Sequence, residues 1–109
     1  MTAEREALAA RIRSMIQDGG PVREVAMFGG IAFMLEDRML VSAGRDGSLL
    51  VRVDPADSEE LLQRKGAGRS FMGIERPMGP GWLTVQPDAL LGDEDLMQWI
   101  GVALDFHSR

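Results

Sequence analysis

The chain contains no cysteine and a single histidine, His107. The first absence excludes disulfides, thiolate nucleophiles and thiolate metal sites, and it fits a reducing cytoplasm. The second leaves no His pair for a metal, and it forces any Ser–His–Asp arrangement through His107. No serine sits in a Gly-x-Ser-x-Gly elbow. The sequence therefore predicts a non-enzymatic protein without a catalytic, cofactor or metal site, and His107 reads as a surface residue whose charge suits a helix C-terminus. Lysine is as scarce: Lys65 is the only one among 12 basic residues. Seven arginines face seven acids through Arg52, whereas beyond it only Arg64, Lys65, Arg69, Arg76 and Arg109 face ten acids. Clustered basic side chains release counterions from a phosphate backbone. Scattered ones, on a chain of net charge −5, disfavour strong direct binding to DNA. Long apolar runs are also missing. Nothing approaches the ~20 residues of a membrane-spanning helix, and Met1 to Gln17 is broken by Glu4, Arg5, Glu6, Arg11 and Arg13, unlike a signal peptide. A cytoplasmic protein with no membrane contact is expected.

What is present suffices for one folded domain. Of 109 residues, 45% are hydrophobic and 27% charged, which is enough apolar surface to offset the entropy of ordering. Leu8, Ile12, Met15 and Ile16 fall on one face of a helix over Ala3 to Gln17, with Thr2 as its N-cap and Asp18-Gly19-Gly20-Pro21 as its stop. The period then shortens to that of strands: Val22 to Phe28, Ile31 to Leu35, Met39 to Ala43 and Leu49 to Val53. Gly29-Gly30 interrupts them as a bulge or turn, Glu36-Asp37-Arg38 forms a polar tip, and Arg45-Asp46-Gly47-Ser48 reads as a hairpin turn. Asp54-Pro55 opens a helix that runs to Lys65 and closes at Gly66-Ala67-Gly68. Phe71 to Glu75 and Trp82 to Gln86 read as two further strands around Pro77-Met78-Gly79-Pro80-Gly81, and a short helical turn follows Pro87. Asp93 caps a final helix to about Phe106, with Leu96, Trp99, Ile100 and Leu104 on its buried face. This order predicts an α+β fold of two layers, an antiparallel sheet with helices mainly on one face.

Alternation puts Ala32, Met34, Leu40 and Leu50 on the face away from the helices. Met34, Leu40 and Leu50 are therefore candidate interface residues, for a protein partner or for a homodimer. The eight methionines admit two readings, adaptable binding surface or substitute core filler. The glycine pairs read as turns: Gly66-x-Gly68 follows a helix and lacks a third glycine, and Gly29-Gly30 lacks the Lys-Ser/Thr of a phosphate loop. Asp93, Glu94 and Asp95 are explained by capping and the helix dipole.

Met27-Phe28-Gly29-Gly30-Ile31-Ala32-Phe33-Met34 resembles the strand-turn-strand signature of the TfoX/Sxy N-terminal domain. The match continues in order through Leu49 to Val53, Arg76-Pro77-Met78, Gly81-Trp82-Leu83-Thr84-Val85, Asp95-Leu96, Trp99 and Ala103-Leu104. The resemblance implies an α-β(3)-α-β(2)-α order similar to secretion-chaperone-like folds. It also implies a bacterial regulator of natural competence, linked to transcription through the cyclic-AMP receptor protein. A stand-alone N-terminal domain is expected, without the C-terminal domain of full-length regulators, so any DNA role of that second domain is not carried over. Two functions stay open: a regulatory or adaptor domain acting through protein contacts, and a small-molecule-binding protein or minor enzyme with a cleft near Gly29-Gly30 and the Arg76 to Trp82 turn.

Overall fold

The computed structural model describes residues 3–16, 22–27, 29–71 and 76–109. Helix α1 (Ala3–Met15) turns Leu8, Ala9 and Ile12 inward; Thr2 and the stop at 18–21 lie outside the described residues. Four strands follow as an antiparallel meander: β1 (Val22–Met27), β2 (Gly30–Leu35), β3 (Arg38–Ala43) and β4 (Leu49–Arg52). After a short 3-10 turn, Pro55–Asp57, come α2 (Ser58–Leu61), β5 (Ala67–Arg69) and β6 (Trp82–Val85). A second 3-10 turn, Pro87–Ala89, leads to helix α3 (Asp93–His107). All pairings are antiparallel, and the sheet order is β1-β2-β3-β4-β6-β5. The expected α+β architecture is present, with four strands before α2.

Local chemistry sets each corner. At the β3–β4 turn Asp46 Oδ1 accepts from the Ser48 amide at 2.9 Å, the Gly44 amide donates to the Ser48 carbonyl at 2.8 Å, and Gly47 sits at φ 84. The hydroxyl and amide of Ser48 hold the Asp46 carboxyl below its usual range. The β2–β3 turn has only Glu36 (φ 53) and Asp37 (φ 65) between its strands, the doubly left-handed geometry that matches strand twist. Asp54 caps the next segment, accepting from the Ala56 amide at 2.9 Å with Pro55 at the first position.

Two elements differ from the sequence expectation. The helix after Asp54 is a 3-10 turn and a single α turn, after which Gln63 and Arg64 donate three residues back, to Glu60 and Leu61. A helix gains most of its stability from an apolar face packed on something else; here Leu61 is the one buried apolar residue of the α turn, with Leu62 packed beside it. The stop expected at Gly66-Ala67-Gly68 runs into a strand, β5 at Ala67–Arg69, and Phe71, the first residue of the strand expected at Phe71–Glu75, makes an antiparallel bridge to Pro77. Residues 72–75 of that expected strand lie outside the described residues.

The core lies between the sheet and the pair α1 and α3. Phe33, Val41, Leu49, Val51, Leu83 and Val85 meet Leu8, Ile12, Leu96, Trp99 and Ile100 there. At roughly 25 cal/mol per Å2 of buried apolar surface, each such side chain stabilises the fold by about 1.5–3 kcal/mol before entropy is subtracted. Arg13 braces α1 to β1 through two bonds to Glu24, at 2.6 and 2.7 Å, and these hold the Glu24 carboxyl below its usual range. Among the described residues no helix is long and apolar enough to cross a membrane.

Candidate functional site

With both long helices on one face, the other face of the sheet stays open. Its central row runs across five strands in register: Ala32, Ser42, Leu50, Thr84 and Gly68. These residues alternate with Val41, Ala43, Leu49, Val51, Leu83 and Val85, all of which lie in the core. Ser70 and Phe71 after β5 and residues 76–78 before β6 form an arm beside this row, tied by the Phe71–Pro77 bridge and by the Met78 amide donating to the Ser70 carbonyl at 2.9 Å. Between arm and sheet is a hollow of about 400 Å3.

Five strands, one hairpin turn and the arm supply its walls. Met27 comes from the end of β1, Gly30 from the start of β2, Met39 and Ser42 from β3, and Leu50 from β4; Gly44 and Ser48 come from the hairpin turn. Thr84 of β6 and Ser70, Phe71 and Met78 of the arm close the far side. Ser42 is 7% exposed and Ser70 2%. The Ser70 and Thr84 hydroxyls stand 2.8 Å apart. Phe71 is 55% exposed at the rim.

Met27, Gly30 and Met78, signature residues from two distant segments, thus meet around one space. Gly29, at φ 79, makes the turn that aims β2 under it, and its carbonyl accepts from Arg5 Nη1 at 2.8 Å. Gly30 needs no special dihedral; what it lacks is room, since a Cβ there would stand 2.6 Å from the Ala43 carbonyl oxygen. The other signature residues have different places. Phe28 lies outside the described residues. Arg76 is exposed, Pro77 forms the bridge, the Gly81 carbonyl accepts from the Val53 amide at 2.9 Å, and Trp82 is half-buried at the start of β6.

Of the candidate interface residues, Met34 and Leu50 lie on the open face and Leu40 does not. Leu50 lines the hollow. Met34 borders a separate shallow depression with Val22, Arg23, Glu36 and Asp37. Leu40 corrects the alternation reading: it is 1% exposed and part of the core. Phe33 pairs with Val41 while the next residue, Met34, pairs with Met39, so β3 carries one extra residue at Leu40. Such a bulge resets which face the strand presents, and Met39 takes the open-face place that Leu40 was expected to hold. Ser42, Ser70 and Thr84 were not singled out by the sequence, because isolated hydroxyl residues carry no motif.

His107 stands apart from the hollow. Its Nε2 is 2.9 Å from Glu36 Oε1, joining the end of α3 to the β2–β3 turn, and its Nδ1 is buried with no partner among the described residues. The guanidinium of Arg52 lies 4.8 Å from the Phe106 ring and that of Arg64 5.3 Å from Trp99. No group of three or more metal-ligating side chains is gathered among the described residues.

A family model described as the TfoX N-terminal domain matches residues 14–107. No curated protein sequence matches the chain. The fold is similar to that of a crystal structure of a protein from Pseudomonas syringae determined by the Northeast Structural Genomics Consortium. That likeness has a TM-score of 0.59, covers 86% of this chain and 93% of the other, and comes with 13% identity; it speaks for the fold alone.

Proposed function

Because the chain belongs to the TfoX N-terminal domain family, which is linked to competence regulators, we propose that it is a regulatory or adaptor domain working by contact with another protein rather than by catalysis. The observation that carries this reading is the open sheet face. One layer of helices covers the opposite side, while this side offers a concavity walled by Met27, Met39, Leu50 and Met78 with Phe71 at its rim. Concave apolar surface beside an exposed aromatic is the kind of place where a partner's side chain anchors. Methionine suits the role because its unbranched thioether repacks around different shapes.

A photo-crosslinking residue at Phe71, compared with one at the exposed Leu91 before α3, tests this in a native lysate. A discrete adduct from position 71 that position 91 does not give supports the reading. The same adducts from both positions, or none from 71, would sink it. The ligand-binding alternative is favoured by one specific observation, the placing of Gly30 and Met78 on a single hollow.

A further inference from the structure

We propose that the hollow between the sheet and Ser70, Phe71 and Met78 binds an uncharged, largely apolar small molecule bearing one hydroxyl or amide group. This rests on the ligand-binding reading of the same hollow, and it needs no protein partner. Its volume of about 400 Å3 falls within the range of about 300–1,000 Å3 typical of small-molecule pockets, which are mostly apolar with a few placed polar groups.

The charge of the ligand follows from the walls. Among the described residues the lining holds methionine, leucine, phenylalanine, glycine, serine and threonine, and no acid or base. A charged molecule would lose its hydration there and meet no counter-charge among these lining residues. Asp46, beside the lining residue Gly44, is already engaged by Ser48.

The polar group follows from the hydroxyls. Ser70 and Thr84 share one hydrogen bond at 2.8 Å, so one of their two protons bridges the pair and the other has to find an acceptor elsewhere. Ser42 also lines the hollow, and its hydroxyl is not among the sealed, unpartnered polar atoms of the described residues. A ligand that displaces water from such a wall must replace the hydrogen bonds the water made. A hydroxyl or amide supplies both an acceptor for the spare proton and a donor for the Ser42 oxygen. The rest of the ligand meets Met27, Met39 and Met78, each on a different segment, and thioethers make favourable contacts with aromatic rings.

The test uses the whole chain labelled with 13C at the methionine methyls and titrated with three matched probes: 2-naphthalenemethanol, 2-naphthoate and 2-naphthylmethylammonium. The neutral probe should shift the Met27, Met39 and Met78 methyls saturably and leave Met15 and Met97 of the helix layer unmoved. Both charged probes should bind at least tenfold more weakly. Thr84→Val should weaken the neutral probe roughly three- to tenfold, the worth of one hydrogen bond, and Leu50→Phe should fill the space and abolish binding. Unchanged Met15 and Met97 resonances report that each variant is folded, and Thr84→Val, nearly isosteric, keeps the test usable where Leu50→Phe fails that check. Equal binding of all three probes, shifts spread over all the methyls, or no shift up to the solubility of the neutral probe would overturn the proposal.

Discussion

Replacing Gly30 by alanine tests how closely the second strand must approach the third. An added Cβ at that position would lie 2.6 Å from the Ala43 carbonyl oxygen and 3.1 Å from Ser42 Oγ. The first distance is well inside van der Waals contact, and the obstructing atom belongs to the backbone, which has no rotamer to change. The strands must separate locally, at the overpacking cost of about 1–3 kcal/mol. Against this stands the smaller unfolded-state entropy of alanine, which favours folding by about 0.4–1 kcal/mol. The net expectation is a loss of about 1–2 kcal/mol. Gly68→Ala is the internal control, because nothing lies within 4 Å of its added carbon; it should be neutral or slightly stabilising. Urea unfolding resolves the pair: Gly30→Ala should lower the midpoint at unchanged slope, and its thermal midpoint should fall by about 4–8 °C per kcal/mol. Equal stability of Gly30→Ala and the parent chain would show that the approach of the strands is not what requires glycine there.

Three further outcomes are expected. Leu40→Ala should cost about 2–5 kcal/mol as a core deletion, whereas Leu50→Lys on the open face should fold with most of its stability; the reverse order in urea would refute the bulge at Leu40, and light scattering on Leu50→Lys beside the parent reads whether that face pairs two copies. Asp46 and Glu24 are both held below their ordinary values of 3.8 and 4.5, so the stability they contribute is fully present above the unfolded-state values and lost as pH falls through the depressed folded ones. Asp46→Asn should accordingly lose less stability than the parent chain between pH 5 and pH 3, and an identical loss in both would remove Asp46 from the account. Duplex DNA should bind weakly and with steep salt dependence or not at all, since the net charge is −5; tight sequence-selective binding at physiological salt, seen by fluorescence anisotropy, would contradict this.

The parts of the fold that could be read from the sequence are those where one local signal has one structural meaning. The spacing of Leu8 and Ile12, the run Leu96, Trp99 and Ile100, the Asp46-Gly47 turn and the Asp54-Pro55 cap each specify geometry within a few residues, and each is present. The parts that could not be read depend on contacts made from afar. Period-two alternation carries no mark of an inserted residue, so Leu40 and Met39 exchange faces unannounced. Gly66-Ala67-Gly68 has the composition of a helix stop, yet pairing with Leu83 to Val85 makes Ala67–Arg69 a strand. The hollow follows the same logic. Gly30 and Met78 were visible as signature residues, but the hydroxyls of Ser42, Ser70 and Thr84 acquire meaning only through strand register.

The order of strands across the sheet also fixes an order of events. From β1 to β4 every strand pairs with its neighbour in sequence, so those hairpins close through short loops. The last two strands break that rule: β6 docks on β4, and β5, which precedes it in the chain, is held in the sheet only through β6. Until the later strand has arrived, the earlier one has no ladder to join, and the Ser70 wall has nothing to close against. The two therefore form one cooperative unit on the side of β4 away from β3. In native-state hydrogen exchange the paired amides of Ala67–Arg69 should open no more slowly than those of Trp82–Val85, and both more readily than the centre of β3. The Ser70 wall of the hollow should then last only as long as the pairing of β5 with β6.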